Sequence, residues 1–370
     1  MTGNRALAVV IAGGGTGGHL YPGIAVAREI ARREPGARVT FAGTSRGLEA
    51  RVVPREGFEL DTIRSAGLKG KSLASRLRGA SLLIPGGLDA WRIVTRRTPD
   101  VVIGVGGYSS GPVVLVAALR GVPTMVLEQN AVPGLTNRLL ARCVRAAAVT
   151  YEQTVPYFQG KGFVSGNPVR NEFFQTSSFE LRTSKFFRIL ILGGSQGAHA
   201  INVAMVAAAS ELVRRHAGLQ IVHQTGERDL AAVRDGYTSG GIAARAESFL
   251  DAVAGEMIAA DLVISRAGAT TLAELAAAGR PAVLVPFPGA TDDHQRKNAR
   301  VLVDAGAADV IDQAALTGRQ LAAVVGTLLG DPARLAAMSR AMRAFARPDA
   351  ASRIVDRALE LARAARPRVA

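Results

Sequence analysis

The sequence has one cysteine, Cys143, in 370 residues. A single thiol can form neither an internal disulfide nor a thiolate metal cluster, so disulfide scaffolds and zinc-thiolate modules are excluded and a reducing, cytoplasmic compartment is expected. Aromatic residues make up only 5%, too few for the stacking platforms of single-strand binders. With no interleaved aromatic and basic stripe, zinc-finger spacing or recognition helix, no nucleic-acid partner is expected. Long apolar runs are also missing. The longest uncharged one, residues 113–119, is far below the roughly 18 residues that span a bilayer, and no basic n-region precedes a signal-type stretch, so neither a spanning nor an exported protein is expected. Acids are outnumbered: 45 Lys and Arg face 30 Asp and Glu, a formal charge of +15, which favours anionic partners such as nucleotides or an anionic membrane surface.

What is present is alternation. Apolar runs at 7–12, 38–42, 101–105, 124–127 and 146–150 read as strands, with helices starting near Gly18, Arg46, Ser72, Gly111 and Gly134. The pattern loosens after Tyr151 and resumes with strands at 188–192, 219–224, 262–265 and 282–286, and helices near 198–213, 271–278 and 295–305. Repeated βα units predict parallel sheets, hence an α/β protein of two Rossmann-like domains facing a central cleft. The expected boundaries are 1–165 for the first domain, 166–187 for a linker and 188–348 for the second domain. Residues 349–370 form an Arg-rich helix and tail, whose return to the first domain is left open.

Each half opens with a strand that runs into glycines: Gly13-Gly14-Gly15-Thr16-Gly17-Gly18 and Gly193-Gly194-Ser195-Gln196-Gly197-Ala198. Such loops bring backbone N–H groups and a helix N-terminus close to phosphate, or simply pack a strand tightly on a helix. The second predicted strand ends Phe41-Ala42-Gly43-Thr44, without the acid a nicotinamide ribose needs, and the second loop lacks the G-K-[S/T] of a triphosphate site. His19 follows the first loop at a helix start, where the dipole disfavours imidazolium and keeps a neutral general base, or a mere packing residue. Small residues from Ser265 to Ala273 lead to Glu274, whose carboxylate can accept two hydrogen bonds from a ribose diol. Asp292-Asp293-His294-Gln295 with Asn298, and Glu128-Gln129-Asn130, are polar clusters suited to sugar hydroxyls. No metal site is expected, because adjacent side chains diverge.

In order and spacing, Gly14 to His19, Gly106-Gly107-Tyr108-Ser109-Ser110-Gly111-Pro112, Glu128-Gln129-Asn130, Gly193 to Ala198 and Arg266 to Asn298 resemble the MurG family, the undecaprenyldiphospho-muramoylpentapeptide β-N-acetylglucosaminyltransferases of bacterial peptidoglycan synthesis. The resemblance implies a GT-B fold and inverting transfer of N-acetylglucosamine from UDP-GlcNAc to the 4-hydroxyl of lipid I, giving lipid II, with no cofactor and no nucleotide-bound metal. It implies His19 as catalytic base. Thr16, Gly17 and Gly18 would meet the donor diphosphate, Ser195 a donor phosphate, and Arg170 would stand beside the donor. Asn130 and Gln295 would hold GlcNAc hydroxyls, Ala269, Thr270, Thr271, Leu272 and Ala273 would line the donor, Glu274 would bind the ribose and the Leu250 backbone the uracil. It further implies a peripheral protein on the cytoplasmic face of the plasma membrane. The membrane patch would comprise Leu73, Arg76, Leu77, Arg78, Leu82, Leu83, Trp91 and Arg92, with cell-wall synthesis proteins as further partners. Two alternatives stay open on sequence alone: another GT-B UDP-sugar enzyme, such as a natural-product glycosyltransferase or a UDP-GlcNAc 2-epimerase, and a non-catalytic nucleotide-sugar-binding protein.

Overall fold

The computed structural model describes residues 5–65, 83–174, 186–194 and 197–365. The chain divides into two compact units, Met1–Val169 with Asp349–Ala370, and Arg170–Pro348. The first contains β1 (Ala8–Gly13), α1 (Gly17–Arg33), β2 (Arg38–Gly43), α2 (Glu49–Arg55), β3 (Glu59–Thr62), α3 (Leu83–Arg97), β4 (Val101–Gly106), α4 (Ser110–Leu119), β5 (Thr124–Glu128), α5 (Leu135–Leu140), β6 (Ala146–Val149) and β7 (Gly162–Val164). Its strands are parallel in the order β3-β2-β1-β4-β5-β6-β7. Alternation along β1 shows why its sequence is a continuous apolar run. Val9 and Ile11 face the layer containing α1, while Val10 and Ala12 face the layer containing α3 and α4, so both faces are covered.

The second unit contains β8 (Arg188–Leu192), α6 (His199–Arg215), β9 (Gln220–Gln224), α7 (Leu230–Ser239), β10 (Ala244–Glu247), α8 (Val253–Ala259), β11 (Leu262–Ser265), α9 (Ala269–Ala278), β12 (Ala282–Leu284), α10 (His294–Asp304), β13 (Ala308–Val310), α11 (Gly318–Leu329) and α12 (Pro332–Arg343). These strands too are parallel, ordered β10-β9-β8-β11-β12-β13. The α/β reading with two parallel sheets therefore holds.

The interior strands and most of the helices fall where the sequence pattern puts them. Strands β3, β7, β10 and β13 lie outside the predicted set, as do α7, α8, α11 and α12. The helix expected near Arg46 begins at Glu49, because residues 44–47 turn around the Glu49 carboxylate. The expected helix start near Ser72 lies outside the described residues, which resume at Leu83 in α3.

The last helix, α13 (Ala350–Ala365), packs on α1 in the first unit. Ile354, Val355, Ala358 and Ala362 enter the same core as Val9, Ile11 and Ile30, and Arg33 of α1 pairs with Asp356. Truncating a fully buried Ile leaves a cavity, so Ile354→Ala should cost about 2–5 kcal/mol. In urea denaturation the transition of the first unit should move to lower denaturant. That of the second unit should stay in place.

Candidate active site

In the first unit the glycine loop closes around an acid from another element. Glu49, at the start of α2, is fully buried. Its carboxylate accepts from Gly15 N (2.7 Å), Thr44 N (2.8 Å) and Thr44 Oγ1 (2.8 Å). Burial works to raise this carboxyl, and the bonds donated by the Gly15 and Thr44 groups outweigh it, holding it below the ordinary carboxylate range. A Cβ at Gly14 or Gly43 would come within 2.6 Å of the Glu49 side chain, and at Gly47 closer still, so these glycines make room for it. The end of β2 carries no acid, as the sequence shows, yet α2 returns one to the same place. One amide of the supposed phosphate loop is thereby committed to an internal anion.

His19 sits in the first turn of α1. A side chain at Gly106 would lie 2.7 Å from its Nδ1, and one at Gly107 would lie 2.6 Å from the Gly14 carbonyl. The Gly106-Gly107 pair, both at positive φ, is therefore what admits the imidazole beside β4. Nδ1 of His19 is 3.1 Å from Gln129 Oε1, and Gln129 Nε2 donates to the Val105 carbonyl at 3.0 Å. That second bond fixes the amide orientation, so Oε1 must accept from an Nδ1–H and the lone pair of neutral His19 lies on Nε2.

The Glu128-Gln129-Asn130 cluster does not face a sugar as a whole. Glu128 and Gln129 are buried. Glu128 accepts from Asn130 N and Nδ2 through one oxygen, and from Gly134 N and Asn137 Nδ2 through the other. Glu128 closes β5 and Gln129 follows it, both buried, whereas Asn130 is partly exposed. One Nδ2 hydrogen of Asn130 goes to Glu128, which fixes the orientation of its carboxamide.

In the second unit, Gly194 and Gly197 take positive φ, and a Cβ at Gly197 would meet the Thr225 carbonyl at 2.4 Å. Ser195 lies outside the described residues. His199, the first residue of α6, pairs with Asp229 at 3.0 Å; Asp229 also accepts from Asn202, which holds the buried His223, itself bonded to Tyr237. Burial lowers the His223 imidazole to about 4, which makes it a neutral structural group at physiological pH.

Gln295 Oε1 accepts from Phe287 N (2.9 Å) and Ala267 N (3.3 Å), so it ties the loop after β11 to the loop after β12 and presents Nε2 as the donor. Arg266 lies over the Phe287 ring and donates to the Val285 carbonyl. Leu250 and Leu272 are buried; whatever they offer a ligand comes from backbone. Ala269, Thr270, Thr271 and Ala273 are partly exposed around the start of α9. The sequence cluster 292–294 diverges: Asp293 pairs with Arg296 and His294 with the Thr291 carbonyl. Among the described residues no group of three or more His, Cys, Asp or Glu could hold a metal ion.

Glu274 stands in α9, and burial pushes its carboxyl from 4.5 up to about 7, against the pull of the Arg170 guanidinium. Arg170, over the Phe173 ring and 3.7 Å from Glu172, opens the short helical turn Asn171–Phe174 that packs on α8 and α9. A carboxyl raised by burial in this way is one whose charged form incoming hydrogen-bond donors would stabilise. The Glu274 signal in carboxyl-detected NMR should move with a midpoint about 7 in the unliganded protein. Arg170→Gln, which removes the opposing charge, should raise that midpoint further. A midpoint near the ordinary 4.5 would mean a solvated side chain.

Comparison with known proteins follows the two-unit division. Residues 9–149 match the glycosyltransferase family 28 N-terminal domain, and residues 188–354 match the glycosyltransferase family 28 C-terminal domain. The chain is 47% identical over 356 residues to the UDP-N-acetylglucosamine–N-acetylmuramyl-(pentapeptide) pyrophosphoryl-undecaprenol N-acetylglucosamine transferase of Anaeromyxobacter sp. (strain K), covering 96% of this chain and 93% of that one. It is 45% identical over 354 residues to the protein of the same name from Myxococcus xanthus, covering 95% and 92%. The crystal structure of Acinetobacter baumannii MurG superposes with a TM-score of 0.80 at 31% identity, over 95% of this chain and 99% of that one. With near-complete coverage at this level of identity, the chain belongs to the MurG family of N-acetylglucosamine transferases.

Proposed function

We propose that this protein transfers N-acetylglucosamine from UDP-GlcNAc to the N-acetylmuramyl-pentapeptide carried on pyrophosphoryl-undecaprenol, the reaction in the name of its relatives. The observation that carries the chemistry is the fixed tautomer of His19. With Nδ1–H committed to Gln129, Nε2 takes the proton from the acceptor 4-hydroxyl as that oxygen attacks C1 of the sugar and the bond from C1 to the phosphate oxygen breaks with inversion. Charge grows on the departing UDP. It meets the N-terminus of α6 with Ser195, the Arg170 guanidinium, and Thr16, Gly17 and Gly18 one residue beyond the amide that Glu49 takes. Glu274 accepts from the ribose diol, the Leu250 backbone meets the uracil, residues 269–273 line the donor, and the Asn130 and Gln295 carboxamides bond the GlcNAc hydroxyls.

In a transfer assay with lipid I, His19→Ala should lose about 10²–10⁴-fold in kcat with UDP affinity retained. Gln129→Met frees the ring to rotate and change tautomer; loss of that one bond, about 1–1.5 kcal/mol, should lower kcat about tenfold with little change in KM for the donor. Normal turnover by His19→Ala would return His19 to a packing role. Full activity with other acceptors would favour a different UDP-sugar enzyme.

We further propose that the first unit docks peripherally on an anionic membrane. No single helix among the described residues is long and apolar enough to cross one. Ile84, Leu88 and Trp91 follow one another at helical spacing on α3 and are exposed, as is Leu119 on the adjoining α4; Arg120 lies 4.6 Å over the Trp91 ring and joins the two helices. Leu73, Arg76, Leu77, Arg78 and Leu82 of the expected patch lie outside the described residues, and Leu83 is the first residue of α3. Arg92 is exposed and keeps a longer, 3.9 Å ion pair with Asp89, whereas Arg64 is hydrogen-bonded by Asp89, and Arg96 and Arg97 by Asp61. Those three cations chiefly brace β3 and α3. Wild-type protein should float with anionic liposomes, weakly with neutral ones, and less at high salt. Replacing Leu88 and Trp91 with Ser should reduce flotation by more than about tenfold, since each inserted side chain contributes about 1.5–3 kcal/mol.

A further inference from the structure

Between β1 and α1 the backbone passes through Gly13, Gly14 and Gly15 at φ values of 140°, 145° and 85°, a path that glycine permits and does nothing to hold. The next residue, Thr16, precedes α1 without a side-chain capping bond, so the usual local restraint on a helix start is missing. A restraint comes instead from α2, where Glu49 accepts from Gly15 N at 2.7 Å. The residues on either side of Gly15 carry it onward. Gly14 N reaches the Gly106 carbonyl at 3.4 Å, and the Thr16 carbonyl accepts from His19 N (3.2 Å) and Leu20 N (3.1 Å). Gly106 is also the residue whose missing side chain admits the His19 ring. Gly15 therefore stands one residue from each of the two contacts that define where the imidazole lies.

For stability alone, a charge is a costly way to hold a loop. Glu49 is fully buried, and its donors Gly15 N, Thr44 N and Thr44 Oγ1 are all neutral, so desolvation of the carboxylate is opposed by dipoles and not by a cation. What the charge adds is strength and direction, because hydrogen bonds to an ionised acceptor are stronger than those to an amide. One oxygen takes Gly15 and the other takes Thr44, whose hydroxyl is itself braced by Gly47 N at 3.1 Å. We propose that Glu49 is a positioning residue for the transfer reaction, an inference that rests on the reading of His19 as the base. As an internal anion it occupies the Gly15 amide and holds the glycine loop, and with it His19, in the geometry that proton transfer needs.

Glu49→Gln keeps the shape of the side chain but exchanges one acceptor oxygen for an NH2 group, which faces a backbone N–H whichever way the amide turns. In a transfer assay with lipid I, the full-length variant should lose about 10–10²-fold in kcat, with KM for UDP-GlcNAc unchanged. Gly47→Ala reaches the same end without touching the acid. Its Cβ would lie 2.2 Å from the Glu49 oxygen that accepts from Gly15 N, and Gly47 is not at positive φ, so the added methyl displaces the carboxylate without straining the backbone. This variant should lose kcat in the same way. Fluorescence of Trp91, the sole tryptophan and a residue of the first unit, reports whether that unit is folded under assay conditions; if Glu49→Gln is unfolded, Gly47→Ala takes its place in every comparison. The deciding measurement is the double variant. Adding Glu49→Gln to His19→Ala should lower kcat no further, because the group being positioned is already gone. Losses that multiply, unchanged kcat in both single variants, or a loss confined to donor KM overturns the proposal. Normal turnover by His19→Ala overturns the reading beneath it as well, whatever Glu49→Gln does.

Discussion

A buried negative charge organises the first half of this molecule. The Glu49 carboxylate has no cation beside it among its hydrogen-bond partners and is held by N–H and O–H donors from Gly15 and Thr44. Those donors come from the ends of β1 and β2, so one side chain from α2 sets the path of both strands as they leave the sheet. The path after β1 in turn sets the entry of α1 and therefore the position of His19. The ring then finds space only because β4 ends in two glycines, and a fixed proton only because Gln129 is pinned to the Val105 carbonyl. An imidazole of defined tautomer is thus the last step of a chain of packing that starts at a buried acid. The glycines serve this chain as much as they serve any phosphate: three of them leave room for the Glu49 side chain.

How much of this was legible beforehand divides along physical lines. Interior parallel strands are covered on both faces and are therefore largely apolar, and most of them appear in the sequence as apolar runs, β9 with its buried His223 and Gln224 being the exception. The four strands that escaped, β3, β7, β10 and β13, are the four sheet edges. An edge is short and half-solvated. Glu59-Leu60-Asp61-Thr62 and Ala244-Arg245-Ala246-Glu247 accordingly read as polar loop, and charge on such strands suits their position. Helices α11 and α12 could have been found from local chemistry alone. Thr317 caps Gln320 N, and Asp331 caps Arg334 N ahead of Pro332, both common start signals.

The candidate site followed a different rule. Motif residues at strand ends were visible because glycine and histidine are conspicuous, and Glu274 stood out by its place within a helix of small residues. The direction in which a polar side chain points was not visible. Glu128, Gln129 and Asn130 are three consecutive polar residues, yet two are buried and only Asn130 is partly exposed. Glu49 carried no motif at all. Its role exists only because a helix five residues past a strand end folds back on a loop 34 residues earlier in the chain, which is tertiary information that no periodicity contains.

The return of α13 to the first unit gives the chain an unusual order of completion. The boundary is crossed twice, near Val169 and near Pro348, and the core around Val9, Ile11 and Ile30 is closed by Ile354, Val355 and Ala358. During synthesis from the ribosome, the segment that starts first is the last to be finished. Its sheet waits with one apolar face incompletely covered while the whole second unit emerges and folds. A premature stop that removes only the final two dozen residues would therefore spare the second unit and expose the hydrophobic face of the first. In a growing cell, quality control would see a shortened product as an open core rather than as a nearly complete enzyme.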